Sequence, residues 1–431
     1  MYAFRQYLNK TESYLRELLL PFWTTRAVEP RYGGFQTNYD SEGRRTSTTE
    51  KTLLAQSRCL FSLARALRRG YRWPGSHRML EQGIEFLLRH FKDTEYGGYY
   101  WILAEDGRVI EDWKTVYGHS FLIYAFSEYF LLTGDERIAD EAMRLFDLLL
   151  LKAADLCYGG FYEHFDRYFN PVSVRKNGGL HKSLDVHMHL LEALTSLYEV
   201  SKAGRHREML HQISTLIFQR MIDKETGCGG ALFSPDWTPI PNEELQTVWG
   251  ADRFEEKEKP TDVTSFGHNI EMAWLYLHSL DILGESWKNH LSQVLPIFDH
   301  TCSYGVDWDC GGLYVEGRRS GETSDTDKEF WQQAEALVGF LDAFKITGEK
   351  RYWDAFCNIH DFVFTKMINW KVGEWFPLLS REGDVKRMYM GNNWKICYHT
   401  VRSMCLVIDK LKSLMNGKDG QSKSDQIMLF L

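Results

Sequence analysis

An all-α barrel of twelve helices is the fold this sequence predicts, and three observations predict it. A paired-glycine turn recurs, an amphipathic helical pattern precedes each turn, and a more apolar helical pattern follows it. The turn reads YGGF at 32–35, YGGY at 96–99, YGGF at 158–161, CGGA at 228–231 and CGGL at 310–313, with VGEWF around Gly373 as a weaker sixth copy. The first glycines, 33, 97, 159, 229, 311 and 373, lie 64, 62, 70, 82 and 62 residues apart.

Before the turns, segments 3–24, 76–92, 137–153, 206–222, 286–302 and 351–367 place apolar residues three and four apart, which predicts outer helices with one buried face. After the turns, segments 51–69, 116–134, 183–201, 266–283, 330–347 and 394–413 are more apolar and richer in alanine, as in LAQSRCLFSLARAL and WQQAEALVGFLDAF. These predict buried inner helices. Glycine admits positive φ and a tight reversal without a Cβ clash, and the aromatic runs GGYYWIL and GGFYEHF predict small hairpins there. Six such units stack either as an open solenoid or as a closed ring. The lack of a polar terminal cap favours the ring, an (α/α)6 barrel. No Pro/Ser linker interrupts the chain, so residues 1–415 are expected to form one domain, with 416–431 a loosely attached tail.

Composition narrows the function. The 431 residues are 44% hydrophobic and 14% aromatic, with 14 Trp, 22 Tyr and 26 Phe, enough for a large core and for a cleft lined with rings on which sugars stack. The net charge of -8 and the absence of a basic block argue against nucleic acid as a partner. Eight scattered cysteines without a CxxC pair argue against a zinc site or a disulfide framework, and suit a reduced, cytoplasmic setting. Charges every few residues mark the N-terminus as an amphipathic helix rather than a signal peptide, and no apolar run is long enough to predict a membrane span.

If every glycine pair marks one end of the barrel, every inner helix starts at that end. Helix N-termini offer free N–H groups and partial positive charge, so the mouth is expected to suit oxygen-rich, partly anionic species. The first turns there are polar: Arg58; Tyr117 and His119; Asp185, His187 and His189; His268 and Glu271; Trp331, Gln332 and Glu335; Trp394, Lys395, Tyr398, His399 and Arg402. Asp185 and His189, four apart, share a helix face, whereas His187 and His189 cannot both face the lumen. His268 and Glu271, three apart, predict a carboxylate orienting an imidazole. A buried polar group left unpaired costs about 1–3 kcal/mol, so this concentration at equivalent helix ends predicts a site. No HExxH pattern, facial-triad spacing, phosphate loop, dinucleotide fingerprint or nucleophile elbow is present, so neither metal nor cofactor is expected.

The segments FGHNIEMAW and NWKICYHTVR resemble the N-acylglucosamine 2-epimerase superfamily, within it the cellobiose and mannose 2-epimerases, and the resemblance covers nearly the whole chain, from Arg58 to Arg402. The resemblance implies the barrel already inferred and a cofactor-free reaction: ring opening, removal of the C2 proton to a cis-enediolate, and reprotonation on the opposite face. It implies His268 and His399 as the acid/base pair, Arg58 at the enediolate, Tyr117 near the carbonyl end and His189 at ring opening and hydroxyl binding. It further implies Glu271 as the partner of the first histidine and Trp331 and Trp394 as pocket aromatics, with Trp308 of VDWDCGG at the rim. Asp185 departs from the Asn of the cellobiose-acting relatives. Chemistry agrees, since inversion at one carbon needs proton access from both faces and a cation near the oxyanion.

The stretch WTPIPNEELQTVWGADRFEEKEKPTD lengthens the fourth unit by about a dozen residues. Read as a lid, it brings Trp249 over a sugar and Asp252 to its hydroxyls, filling the room of a second ring. VWGAD also resembles the mannose 2-epimerase branch. The expected reaction is therefore D-mannose to D-glucose interconversion. Cellobiose epimerisation and aldose–ketose isomerisation are the alternatives within this chemistry. A glycosidase using Asp185 and Glu335 as carboxylates roughly 5–10 Å apart leaves the histidines without a role, and a non-catalytic sugar-binding scaffold predicts no proton exchange with solvent. Monomer and homodimer both stay open.

Overall fold

Six inner helices pack side by side in a closed ring: α3 (Leu53–Arg68), α5 (Val116–Thr133), α7 (Leu184–Ser201), α9 (Phe266–Leu283), α11 (Phe330–Thr347) and α13 (Cys397–Ile427). The last packs back on the first. The computed structural model describes residues 2–242 and 258–427, with side chains through 416. The outer layer is α1 (Phe4–Tyr14) with α2 (Leu20–Arg26), then α4 (Ser76–Phe86), α6 (Glu136–Lys152), α8 (Gly204–Arg220), α10 (Leu291–His300) and α12 (Lys350–Phe362). One π-helical turn, Leu15–Leu19, joins α1 to α2 without a break, so the two count as one outer helix and the described fold is the expected (α/α)6 barrel of twelve. α13 continues to residue 427, past the expected boundary at 415. Among the described residues no helix is long and apolar enough to cross a membrane.

Short strands gather at the end where the inner helices begin, and each strand preceding an inner helix pairs with the next unit. β1 (Lys51–Thr52) pairs with β2 (Ile102–Leu103), which turns back into β3 (Val109–Glu111). β4 (Lys114–Thr115) pairs with β5 (His164–Phe165). β6 (Lys182–Ser183) pairs with β7 (Leu232–Phe233), followed by β8 (Pro239–Ile240). β9 (Val263–Ser265), β10 (Glu316–Arg318) and β11 (Thr323–Asp325) form the next sheet; β12 (Lys328–Glu329), β13 (Leu378–Leu379) and β14 (Val385–Arg387) form the last. Closure is explicit: Tyr39 of the first unit bridges Gly391, just ahead of α13, with Tyr39 N–H donating to the Gly391 carbonyl at 2.8 Å.

The repeated turn has a frame that the glycine pairs alone conceal. Gly97, Gly159, Gly227 and Gly311 each donate their N–H to the carbonyl of an aspartate four residues earlier, Asp93, Asp155, Asp223 and Asp307, at 2.8–3.0 Å. All four glycines have positive φ, whereas Gly229 and Gly230 do not. The fourth copy of the turn is therefore Gly227–Cys228, and the CGGA pair expected there is displaced by two residues. A lysine just ahead of the inner helix pairs with the turn acid in four units: Lys51 with Glu29 (3.5 Å), Lys114 with Asp93 (3.0 Å), Lys182 with Asp155 (2.6 Å) and Lys328 with Asp307 (3.1 Å). Burial pulls Lys114 and Lys328 down to about 8, with their aspartates opposing the shift.

An outward polar side chain in the first turn of the inner helix latches the same loop. Phe35 N–H donates to Gln56 Oε1, Tyr99 N–H to His119 Nε2, Phe161 N–H to His187 Nε2, Gly229 N–H to Asn269 Oδ1 and Leu313 N–H to Gln333 Oε1. His119 and His187 are thereby scaffold groups. Burial drives them down to about 3 and about 4, so both stay neutral acceptors.

Candidate active site

The ring encloses, at the helix-start end, a cavity of about 470 Å³. Arg58, Tyr117, Asp185, His189, His268, Glu271, Trp331, Trp394 and His399 all line it. Trp249 and Asp252 lie outside the described residues. Thr52, Thr115, Ser183 and Ser265 cap the first four inner helices, each accepting an amide of the first turn, and so set where these side chains enter the lumen.

His399 sits low in the cavity, its Nδ1 bonded to Glu335 Oε1 at 2.6 Å. With Nδ1–H directed at that carboxylate, Nε2 carries the lone pair. Burial holds the imidazole well below its ordinary range, and the charges of Arg58, Arg402 and His189 add to the effect. It is therefore neutral, with Nε2 free to accept a proton. His268 is nearer the mouth, its side chain 32% exposed against 9% for His399. The Trp331 ring lies against both imidazoles, with centroids 4.7 Å from His268 and 5.7 Å from His399.

Arg58 is buried, donates to Tyr117 Oη at 2.9 Å and lies over the rings of Phe121 (4.1 Å) and Tyr398 (4.7 Å). That aromatic collar holds a desolvated cation facing the cavity. Tyr117 in turn stacks parallel on Trp394 at 5.8 Å and 6°. His189 Nε2 is 3.3 Å from Asp185 Oδ1 and its Nδ1 2.9 Å from Glu192 Oε2. Burial alone lowers such an imidazole, but the hydrogen bonds to Asp185 and Glu192 and the charge of Glu271 outweigh it and raise His189 to about 9.

Two expectations need correction. Glu271 does not pair with His268. Its Oε1 accepts from Arg402 Nη2 at 2.7 Å, and the carboxylate beside His268 is Asp185, with Oδ1 3.8 Å from Nε2. The three-residue offset puts Glu271 one turn deeper than His268, where a guanidinium from α13 is the stronger partner. Trp308 is 50% exposed and does not line the cavity, because Asp307 takes the inward position of that turn to meet Lys328 and Arg381.

Beneath the cavity, Arg402 bonds Glu192, Glu271 and Glu335 together. Glu192 also accepts from Tyr398 Oη, and Glu335 from Trp274 Nε1 at 3.1 Å. Glu192 was not among the expected site residues. Its sequence signal is a glutamate inside the apolar run LLEAL, three residues after His189, where a buried charge demands a partner. The lining also differs from the partly anionic preference expected of the mouth. Among the described residues it carries seven carboxylates, Glu163, Asp185, Glu271, Glu316, Asp325, Asp327 and Glu329, against the fixed cations Arg58, Lys259 and Arg387.

The family model of N-acylglucosamine 2-epimerase (GlcNAc 2-epimerase) matches residues 33–403, an interval that contains all of the lumen-facing groups above. The chain belongs to the N-acylglucosamine 2-epimerase family. Within that family it is 27% identical over 399 residues to a cellobiose 2-epimerase of Bacteroides fragilis, covering 90% of this chain and 95% of the relative. It is 23% identical over 400 residues to a D-mannose isomerase of Marinomonas mediterranea, covering 92% and 95%. The solved cellobiose 2-epimerase of Bacillus thermoamylovorans superposes with a TM-score of 0.84 at 25% identity, over 94% of this chain and all of that one. This member of the N-acylglucosamine 2-epimerase family is thus an enzyme of the epimerase and isomerase class.

Proposed function

We propose that the protein is a sugar 2-epimerase that interconverts D-mannose and D-glucose without a cofactor. The observation that carries the reading is the placement of two imidazoles, His268 and His399, on one cavity against a shared Trp331. Two bases on separate helices give access to opposite faces of a carbon bound between them. In this mechanism the sugar opens, one imidazole takes the C2 proton, and the enediolate oxygens lie against Arg58 and Tyr117. The other imidazole then returns a proton from the far side. Arg58 supplies charge stabilisation where the oxyanion develops. His189, a cation at neutral pH, sits beside Asp185 to orient hydroxyls and assist ring opening. The excess of carboxylates in the lining supports a neutral sugar over a sugar phosphate or a uronate.

The choice of monosaccharide rests on the VWGAD stretch in the sequence. The names of the relatives favour a second reading, epimerisation of cellobiose. NMR of C2 configuration and deuterium incorporation in D2O tests both. His268→Ala and His399→Ala are each expected to lose epimerisation by roughly 10²–10⁴-fold. Near-normal turnover by either variant removes that residue from the mechanism, and faster turnover of cellobiose than of mannose replaces the first reading with the second. Fructose as the main product from mannose would instead mark an aldose–ketose isomerase.

A further inference from the structure

The cavity wall holds a second set of ligand-type side chains, apart from the histidines and Arg402. Glu163 stands immediately before β5, His164 opens that strand and His181 stands immediately before β6, with their ligand atoms all within 4.8 Å of one another. All three are buried, at 3%, 3% and 4% exposure, and Glu163 and His164 face the cavity. The Ser183 N–H donates to Glu163 Oε1 and fixes the carboxylate, whose Oε2 lies 3.3 Å from His181 Nε2. Neighbouring ligands around a tetrahedral ion with bonds of about 2.1 Å are about 3.4 Å apart, so this pair already has ligand spacing. His181 Nε2 makes no hydrogen bond although it is buried. The His164 and His181 rings face each other with centroids 5.4 Å apart at 40°.

Nearby cationic groups are committed elsewhere. Lys182 Nζ donates to Asp155 and to the carbonyls of Gly159 and Pro235. His187, 3.9 Å from Glu163 Oε1, bonds the Ser183 carbonyl through Nδ1 and accepts Phe161 N–H at Nε2. The one other such trio among the described residues, Glu271, Glu335 and His399, already has the Arg402 guanidinium between its carboxylates, which a dication would have to displace.

We propose that Glu163, His164 and His181 bind a divalent transition-metal ion of the zinc class. Two imidazoles and one carboxylate suit zinc or cobalt, whereas magnesium and calcium prefer all-oxygen shells. The ion ties β5 to the segment that launches α7, the helix that carries Asp185 and His189. Its open position faces the cavity, available to water or a sugar hydroxyl. The proton transfers assigned to His268 and His399 do not pass through it. The trio has no recognisable spacing in sequence, because residue 181 returns beside 163 through the loop between β5 and β6, which belong to separate sheets.

The test is titration of EDTA-treated full-length protein with Zn²⁺ and Co²⁺, read by chelator competition and by cobalt d–d absorption. One equivalent is expected to bind at micromolar affinity or tighter and to raise Tm. His164→Ala and His181→Ala are expected to weaken binding by roughly 100-fold or more, beyond what loss of an outer-shell contact does. Failure of the wild-type protein to bind stoichiometrically overturns the proposal and needs no variant to fold. Unchanged affinity in a His164→Ala/His181→Ala double variant with native circular dichroism overturns it as well, as does tighter binding of Mg²⁺ than of Zn²⁺.

Discussion

Arg402 is one guanidinium serving three carboxylates, and charge balance decides which of them keeps a proton. Together with His189 it supplies two positive charges against Glu192, Glu271 and Glu335. The deficit falls on Glu271, raised to about 7 by burial and by the charge of Glu335. Both shifts act on stability in one direction. His189 holds its proton to about 9 against an ordinary 6.5, and Glu271 to about 7 against 4.5, so the folded state binds protons more tightly at each. The stabilisation is complete below the unfolded values and is lost as pH rises through the folded ones. These two groups pull Tm down between pH 5 and pH 9, His189 by on the order of 3 kcal/mol, while the buried neutral imidazoles of His119, His187 and His399 pull it up as pH rises to about 6.5. Compared with the wild type, Glu271→Gln is expected to remove the downward contribution in the lower half of that range and Asp185→Asn the one in the upper half; the differences between parallel melts check both. His268, His399 and Arg58 were legible because each is a polar group at the start of an apolar helix. The partner of Glu271 was not, since helix spacing sees neighbours on one helix and Arg402 comes from another. Trp308 misled because a turn sends adjacent residues to opposite sides.

The unit of construction is an acid turn with an amide latch rather than a glycine pair. Gly98 shows why the second glycine matters: at φ +70° a Cβ would lie 2.8 Å from His119 Nε2 and 2.9 Å from Phe169. That nitrogen is the acceptor for Tyr99 N–H, so added bulk strains the turn and breaks its latch together. Gly98→Ala is expected to destabilise by about 2–4 kcal/mol, combining the left-handed penalty with the lost acceptor, as read by urea denaturation. Gly134→Ala, at φ +72° with open space around it, should cost only the first part, about 1–2 kcal/mol. Helix positions were readable within a few residues from apolar periodicity, which a buried inner face enforces. The fourth turn was misplaced because matching a glycine pair ignores the aspartate that closes the hydrogen bond four residues earlier. The lysine repeated ahead of four inner helices went unread, since a buried lysine makes sense only with its turn acid in view.

At the scale of the barrel, closure ran ahead of any single contact: six units with no polar cap have no other way to cover their ends. The Tyr39–Gly391 bridge and the Lys412–Glu12 ion pair (3.4 Å) join the first and last units. A ring has no privileged break. A permutant opened at the α7–α8 loop, between residues 202 and 203, with residue 415 linked to residue 2 through a flexible Gly/Ser segment, is therefore expected to fold with Tm within several degrees of the natural chain. Deleting any whole unit should abolish cooperative unfolding in calorimetry. The strands and helix starts also gather on one side, which leaves His268 near water and His399 sealed over Glu335. Under the proposed roles, a hydrogen lifted by the outer imidazole is traded with the solvent sooner than one lifted by the inner. Isotope from the medium would then enter unequally in the two directions, and the epimer whose hydrogen goes to the sealed ring would more often get its own atom back.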